Sequence, residues 1–530
     1  MTASFDVVSE PWIPVVDLDG AAREVSLRDV LLDGHNLKRI VGQTPPMTAA
    51  LYRIVLAVLH RAYGPADEEA WKRLWSDAAL PKDELTEYFD RHPDRFDLFH
   101  STYPFLQCAQ LSSVKTTTVA KLVPHLSVGN NVTLFDHTTA QDVLDLSPGE
   151  AARWLVTAHA FDPGGTKTPY HKVKSSKAAS CSGLGVVLVE GATLKDTLLL
   201  NALRYSPEAG KPHNTFPADA PAWEGVPAAP EPDERQPDGW TDLLTWQSRR
   251  ILLFPTTVDD RTVVRESVMA PGSRMTSEIA EVEMMAAYRK PTTANGKPKA
   301  DAPLLPIRLR PVRGVWRHSV ELLLVDTFAE ENSRQRPRAL KQIADRVVFE
   351  RVPADAVYTL RIFGQQLDKN ASVVEGYLEE EVPAPLALVR AQDKALAGLL
   401  GCAVELADEA GAALRSMQRE YLKDLRAEPS DTLDIAYWPE LAAPFATFLR
   451  EVNAARLDAK SEAPATRTWA RAVRVAAESA SERWADGTSS ADRNLSTVGK
   501  HQGVFLRRLT KHVNTFHAKA TAYLSKDEDQ

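Results

Sequence analysis

Apolar positions along the chain follow two regimes. From about Pro383 to the end they recur at helical spacing and little else is present. Leu396, Leu399, Leu400, Ala403, Leu406, Ala410 and Leu414 mark one stripe, and Trp438, Leu441, Phe445, Phe448 and Val452 a second. Trp469, Val473, Ala476 and Ala480 mark a third, and Phe505, Leu509, Val513, Phe516 and Tyr523 a fourth. Four apolar stripes with intervening turns predict a four-helix bundle.

Before Pro383 the period switches between two and 3.6. Val15 and Val16 precede a turn at Asp19 and Gly20, and Val25 begins the return, which predicts a hairpin. After Pro45 and Pro46, the run Ala50, Leu51, Ile54, Val55, Val58 and Leu59 predicts a helix with one buried face. Trp71 and Trp75 lie four apart on the next helix and read as core. Ser147, Pro148 and Glu150 form a capping box that opens the helix SPGEAARWLVTAHAF. GVVLVE then reads as a strand, TLKDTLLLNAL as a short amphipathic helix, and the proline-rich run from Ser206 to Gly239 as a surface excursion without a core of its own. Strand-like runs follow at Ile251 to Phe254 and Thr262 to Arg265. Tyr358, Leu360 and Ile362 alternate with Thr359, Arg361 and Phe363, and Val373 and Val374 return past a tip at Leu367-Asp368-Lys369-Asn370. The expected fold class is α+β. A large mixed α/β domain with β-hairpins occupies residues 1–382, and an all-α four-helix bundle occupies 383–530.

Length and composition agree with that division. A chain of 530 residues exceeds one ordinary core, and 44% apolar with 25% charged residues is the balance of a globular protein. The opening MTASFDVVSEPW has no basic and apolar regions of a signal peptide, and no apolar run reaches bilayer length. Cys108, Cys181 and Cys402 are isolated, which fits a reducing cytoplasm and no membrane.

The formal charge of −8 argues against indiscriminate coating of nucleic acid, but the charge is uneven. No acid occurs from Leu98 through Phe135, nor between Asp162 and Glu190. The second window holds Gly164, Gly165, Gly183 and Gly185 beside Lys167, His171, Lys172, Lys174 and Lys177. Side-chain-free backbone next to cations suits a polyanion, although a solvated loop would read the same way. A second basic loop carries Arg289, Lys290, Lys297 and Lys299 around Asn295-Gly296. The last helical stripe is basic on its polar side through Lys500, Arg507, Arg508, Lys511 and Lys519.

Catalytic signatures do not emerge. There is no H-E-x-x-H, no G-x-x-x-x-G-K-[ST] and no G-x-S-x-G, and Gly183-x-Gly185 precedes a strand instead of following one. His100, His125 and His137 with Asp136 are the only candidates for a metal or acid–base group, and nothing fixes their mutual geometry. The residues therefore imply no catalytic residues, no metal and no cofactor. Two further readings stay open: a helical adaptor without direct DNA readout, and a metal-dependent hydrolase.

Several stretches taken in order resemble one family, the large subunit (CasA) of the type I-E CRISPR surveillance complex Cascade. They are EPWIPVVDLDG, LFHSTYPFLQ, KLVPHLSVGNN, SPGEAARWLVTAHAFDPGGTK, GVVLVEGATLKDTLLLN and RIFGQQLDKNAS. The resemblance implies a non-catalytic subunit that reads a protospacer-adjacent motif (PAM) in duplex DNA from the minor groove. It implies further that the subunit promotes strand separation and recruits a nuclease-helicase, with other Cascade subunits and CRISPR RNA as partners. By the same resemblance the glycine loop would be Gly164, Gly165 and Thr166 with Lys167. The reading lysine would be Lys290, with Arg289 and Lys297 beside it, and the wedge would be Lys369, Asn370 and Ala371. Relatives often carry glutamine at the wedge, where this chain has Asn370. Lys115, Lys121, Asn130 and Asn131 would belong to a loop that docks the subunit near the RNA, and the basic bundle face would guide a separated strand.

Overall fold

The computed structural model describes residues 3–64, 67–126, 144–203, 219–293, 298–299, 301–310, 312–323, 333–348, 351–353, 355–390, 394–426, 432–489 and 495–527. Lys297, Asn130, Asn131 and His137 lie outside the described residues.

The predicted first hairpin forms from strands Ile13–Asp17 and Ala22–Val25, and Leu37–Ile40 adds a third strand on the other edge. Gly20 sits at φ +89 in the turn, a conformation that glycine adopts without steric cost. The helix predicted after Pro45 runs Pro45–Tyr63, with Thr44 accepting from the Met47 N–H as its cap. It differs from expectation in being buried nearly all round, because helices Pro148–Phe161 and Trp240–Leu244 and strand Val357–Leu367 surround it. Arg53 and His60, which read as polar-face residues, are therefore interior. Arg53 meets this demand through Glu283 at 2.7 Å and the Leu243 carbonyl at 2.9 Å. A buried cation persists only with such a partner.

One further expectation is corrected. The helix Leu194–Asn201 is not amphipathic: Leu194, Lys195, Leu198, Leu199, Leu200 and Asn201 are all buried. Lys195 stays inside by donating to the Trp75 carbonyl at 3.0 Å. The proline-rich excursion, where described, has an anchor: Trp223 is buried against Phe96 and Phe105. As expected, Trp71 is core, stacked on Trp75 at 5.0 Å.

The strand read in GVVLVE is Val186–Glu190, buried along its whole length, and it forms one edge of a three-stranded sheet. The hairpin Val357–Leu367 and Val374–Pro385 supplies the other two strands, with Leu360 opposite both Val382 and Val189. A second long hairpin joins Arg249–Val258 to Arg261–Pro271, and the short strand Thr117–Thr118 pairs along it.

From Leu386 onward the described chain is helical. The long helices Lys394–Asp424, Ala442–Leu457, Ala463–Ser489 and Leu495–Asp527, the second of them led in by a 3-10 turn at Trp438–Leu441, carry the four predicted stripes. Leu396, Leu406, Leu414, Phe445, Phe448, Trp469, Val473, Phe505, Leu509 and Phe516 are all buried. Their core also receives a residue from earlier in the chain. Trp316 packs at 4.7 Å from Phe445 and 5.7 Å from Trp469. Glu380, on the returning strand of the long hairpin, accepts from the Val315 N–H at 2.5 Å and so ties that hairpin to the Trp316 segment.

Candidate nucleic-acid interface

Helix Pro148–Phe161 opens with the predicted capping box, in which Glu150 N–H donates to the Ser147 hydroxyl and the Glu150 carboxylate accepts from Ser147 N–H. It ends at Asp162, whose carboxylate is buried and close to two cations. Arg249 Nε and Lys167 Nζ both lie 2.6 Å from Asp162 Oδ2. Arg249 also donates to the carbonyls of Asp162, Pro163, Lys177 and Ser248 and to the Ser176 hydroxyl. One buried guanidinium thus holds both ends of the glycine segment. Lys167 is turned inward, its side chain 8% exposed. Burial pushes its pKa down, and Arg249 and Lys121 add to that effect against Asp162. The expectation that Lys167 offers its charge to a polyanion is corrected accordingly: a buried carboxylate beside an otherwise acid-free run takes the nearest cations for itself.

The glycine segment continues as a small hairpin, Gly165–Tyr170 with Val173–Ser176. Gly165 has φ +112, which only glycine holds without strain. A Cβ at Gly164 would lie 3.1 Å from the Ala178 nitrogen and 3.2 Å from the Ala371 carbonyl oxygen. Gly164 N–H donates to that same Ala371 oxygen at 2.7 Å. The glycine strand and the tip of the long hairpin are therefore in direct backbone contact. Gly164 serves this internal fit, while Thr166 is exposed on the strand that follows.

The tip is organised by Asp368. Its carboxylate accepts from the N–H groups of Asn370, Ser372 and Val373 and from the Ser372 hydroxyl. The Val373 and Ser372 N–H bonds hold the Asp368 pKa below the usual carboxylate value. Ala371 is forced to φ +54, a left-handed conformation that costs an L-residue about 1–2 kcal/mol. Lys369 and Asn370 are left exposed at the apex. Below them, Gln365 is buried and donates to the Phe161 carbonyl at 2.7 Å, a second tie between hairpin and glycine segment. Gln366 faces Glu375 at 2.5 Å, so both strand glutamines are engaged away from the apex.

The segment Ala109 to Leu126 folds into short 3-10 turns, Ala109–Ser113 and Val119–Leu122, flanking Thr117–Thr118. Lys115 and Lys121 are exposed. Lys121 is near enough to act electrostatically on Lys167, and His125 reaches the Tyr377 hydroxyl at 3.5 Å on the returning hairpin strand. This segment, the glycine hairpin and the long hairpin thus converge on one region.

The basic loop sits elsewhere. Arg289 pairs in a short sheet with Leu305 and Arg334, beside the Val186–Glu190 strand, and approaches Glu321 at 3.4 Å. Burial raises the Glu321 pKa, but the hydrogen bond and charge of His318, with Arg289, outweigh it and leave the carboxyl at about 2. Lys290 is half-buried and its N–H donates to the Ser333 carbonyl at 2.8 Å.

The basic face of the last helix is partly answered by the first long helix of the bundle. Lys519 meets Glu405 at 2.6 Å, His512 meets Glu409 at 2.8 Å, and Lys500 and His501 share Asp424. Arg507 and Lys511 remain exposed. Among the described residues no group of three His, Cys, Asp or Glu side chains is arranged to hold a metal ion. No helix among them is long and apolar enough to cross a membrane.

The fold and this junction define a mixed α/β protein with small antiparallel sheets and a helical C-terminal region, in which a hairpin tip is seated on a glycine strand. The chain belongs to the Cse1 family: the sequence model described as CRISPR-associated protein Cse1 (CRISPR_cse1) matches residues 6–480. The CRISPR-associated protein CasA/Cse1 of Thermus thermophilus is 30% identical across 95% of this chain and 97% of that protein. The crystal structure of Thermobifida fusca Cse1 has the same fold, with a TM-score of 0.81 at 28% identity over 96% of this chain and 98% of that one. A chain of a structure described as a CRISPR RNA-guided surveillance complex shares the fold at 22% identity, with a TM-score of 0.72 over 96% of this chain and 99% of that one.

Proposed function

We propose that this chain is the subunit of a type I-E Cascade complex that reads the PAM in duplex DNA from the minor groove and starts strand separation without cutting DNA itself. The observation that carries this reading is the Gly164 N–H to Ala371 carbonyl bond, which makes the glycine strand and the hairpin apex one structural unit. Minor-groove edges carry a degenerate code, so a backbone-built surface there tolerates several PAM sequences. Wedging a side chain between base steps costs a few kcal/mol of unstacking. Exchange of a DNA duplex for an RNA–DNA heteroduplex is nearly balanced, so that small local cost decides whether pairing starts.

In this assignment Lys369 and Asn370 wedge, with Ala371 fixed beneath them, and Gly165 and Thr166 approach the groove. Arg289 and Lys290 supply a second contact to DNA. Lys115 and Lys121 face CRISPR RNA and the neighbouring Cascade subunits, within a cytoplasmic assembly that also receives a separate nuclease-helicase. The test is footprinting of a target duplex with the complex assembled with and without this subunit. Protection next to the PAM that needs the subunit is expected, and identical footprints overturn the reading. In the intact complex, Lys369→Ala with Asn370→Ala is expected to leave the first contact in place and slow R-loop formation.

A further inference from the structure

The small hairpin that begins at Gly165 carries a charge pattern that groove reading and wedging leave unused. Strand Val173–Ser176 is exposed at Val173, Lys174 and Ser175, and Lys172 and Lys177 flank it, also exposed. Lys172 lies in the turn that opens this strand, Lys174 within it and Lys177 just past its end, so three exposed cations line one short ribbon. The nearby carboxylate Asp162 is already taken by Arg249 and Lys167. Among the described residues no ion pair involves Lys172, Lys174 or Lys177, whereas His171 at the turn of the hairpin lies 3.9 Å from Glu231.

The ribbon is also rigidly seated. Tyr170 packs on a small apolar cluster of Cys108, Leu111, Leu252 and Val268, and Arg249 holds the Ser176 hydroxyl and the Lys177 carbonyl. An unpaired row of lysines on an anchored ribbon spends little conformational freedom when it meets a polyanion. Lys167, the expected phosphate partner, is withdrawn, so the neutralising charge on this ribbon lies at its outer strand.

We propose that Lys172, Lys174 and Lys177 form a phosphate-holding surface for the DNA duplex flanking the PAM, separate from the groove-reading backbone and the wedge. This deepens the function proposed above and rests on it, because the ribbon begins at the glycine beside the hairpin apex. Its task is to grip the backbone without reading sequence, so that the apex is levered against a held duplex.

The test measures target-duplex binding by the assembled complex as a function of salt, for the wild type and for Lys172→Ala, Lys174→Ala, Lys177→Ala combined. Each lost phosphate contact removes about 0.9 from the slope of log K against log salt, so a decrease of about 2–3 is expected, equal for permissive and non-permissive PAMs. The same three positions changed to Arg are expected to retain the slope. An unchanged slope in the alanine variant overturns the proposal. So does failure of that variant to join the RNA-containing complex in the absence of DNA, since the lysines would then serve the guide RNA. If the wild-type complex shows no PAM dependence at all, the function proposed above fails, and the salt slope still decides whether this ribbon grips phosphates.

Discussion

In the helical C-terminal region, Trp316, Trp438, Phe445 and Trp469 meet ring against ring in a buried core, and charged pairs such as Lys519–Glu405 decorate the outside. At the glycine–hairpin junction hardly any apolar surface is shared. Backbone N–H and carbonyl groups, a buried carboxylate and one guanidinium define the contact, and Ala371 is held in a strained conformation. The first arrangement tolerates change only where volume is conserved. The second depends on directions of hydrogen bonds and on the absence of a Cβ. Stability and the proposed DNA contact are thus supported by different physics in different places, and substitutions should separate them.

The largest effect is expected in the helical core. Trp469→Ala removes a fully buried ring whose indole N–H donates to the Ala403 carbonyl, and should cost about 3–5 kcal/mol in stability. Thermal unfolding followed by helical circular dichroism checks this, and a loss below about 1 kcal/mol would contradict the close packing described for this core.

Next comes acid sensitivity, which should fall on the N-terminal region. Burial pushes the pKa of His60 down to about 3 and that of His159 to about 4. The unfolded chain therefore takes up protons at both sites below about pH 6.5 while the folded chain does not. Stability present above about pH 6.5 is lost as pH falls toward about 4. Hydrogen exchange at neutral and at mildly acidic pH should show helices Pro45–Tyr63 and Pro148–Phe161 losing protection ahead of Ala463–Ser489. Equal loss in the two regions would contradict the assignment.

Gly165→Ala should cost about 1–3 kcal/mol, through a positive φ that alanine resists, and in the assembled complex should slow strand opening more than it lowers stability. Stopped-flow fluorescence of a base analogue beside the PAM reports the opening step. Smallest of all is Ala371→Gly. Relief of the left-handed strain is offset by about 0.5–1 kcal/mol of added chain entropy in the unfolded state, so denaturant midpoints should move by less than about 1 kcal/mol in equivalent stability.

The bundle stripes, the capping box and both predicted hairpins were legible because each is encoded within a short window of period, cap or turn. The junction was legible in its parts and not in its contacts. Gly164 and Ala371 are far apart in sequence, and no local pattern announces a bond between them. The inward turn of Lys167 had one available signal: Asp162 is the lone carboxylate at the edge of an acid-free run, and once buried it requires cations. Arg249 had none, since it lies just before the strand-like run Ile251 to Phe254 and no local pattern there signals burial, yet both Arg249 and Arg250 are buried. The central helix misled in the same way, because Arg53 and His60 read as solvent-facing until their partners were in place.

The proposed function depends most on the glycine strand and the hairpin apex acting as one device on DNA. A double-mutant cycle between Gly164→Ala and Asn370→Ala, read out as strand-opening rate in the assembled complex, measures that coupling. Residues within one network are expected to deviate from additivity by about 0.5 kcal/mol or more, and that is the predicted result. Effects that simply add would contradict it.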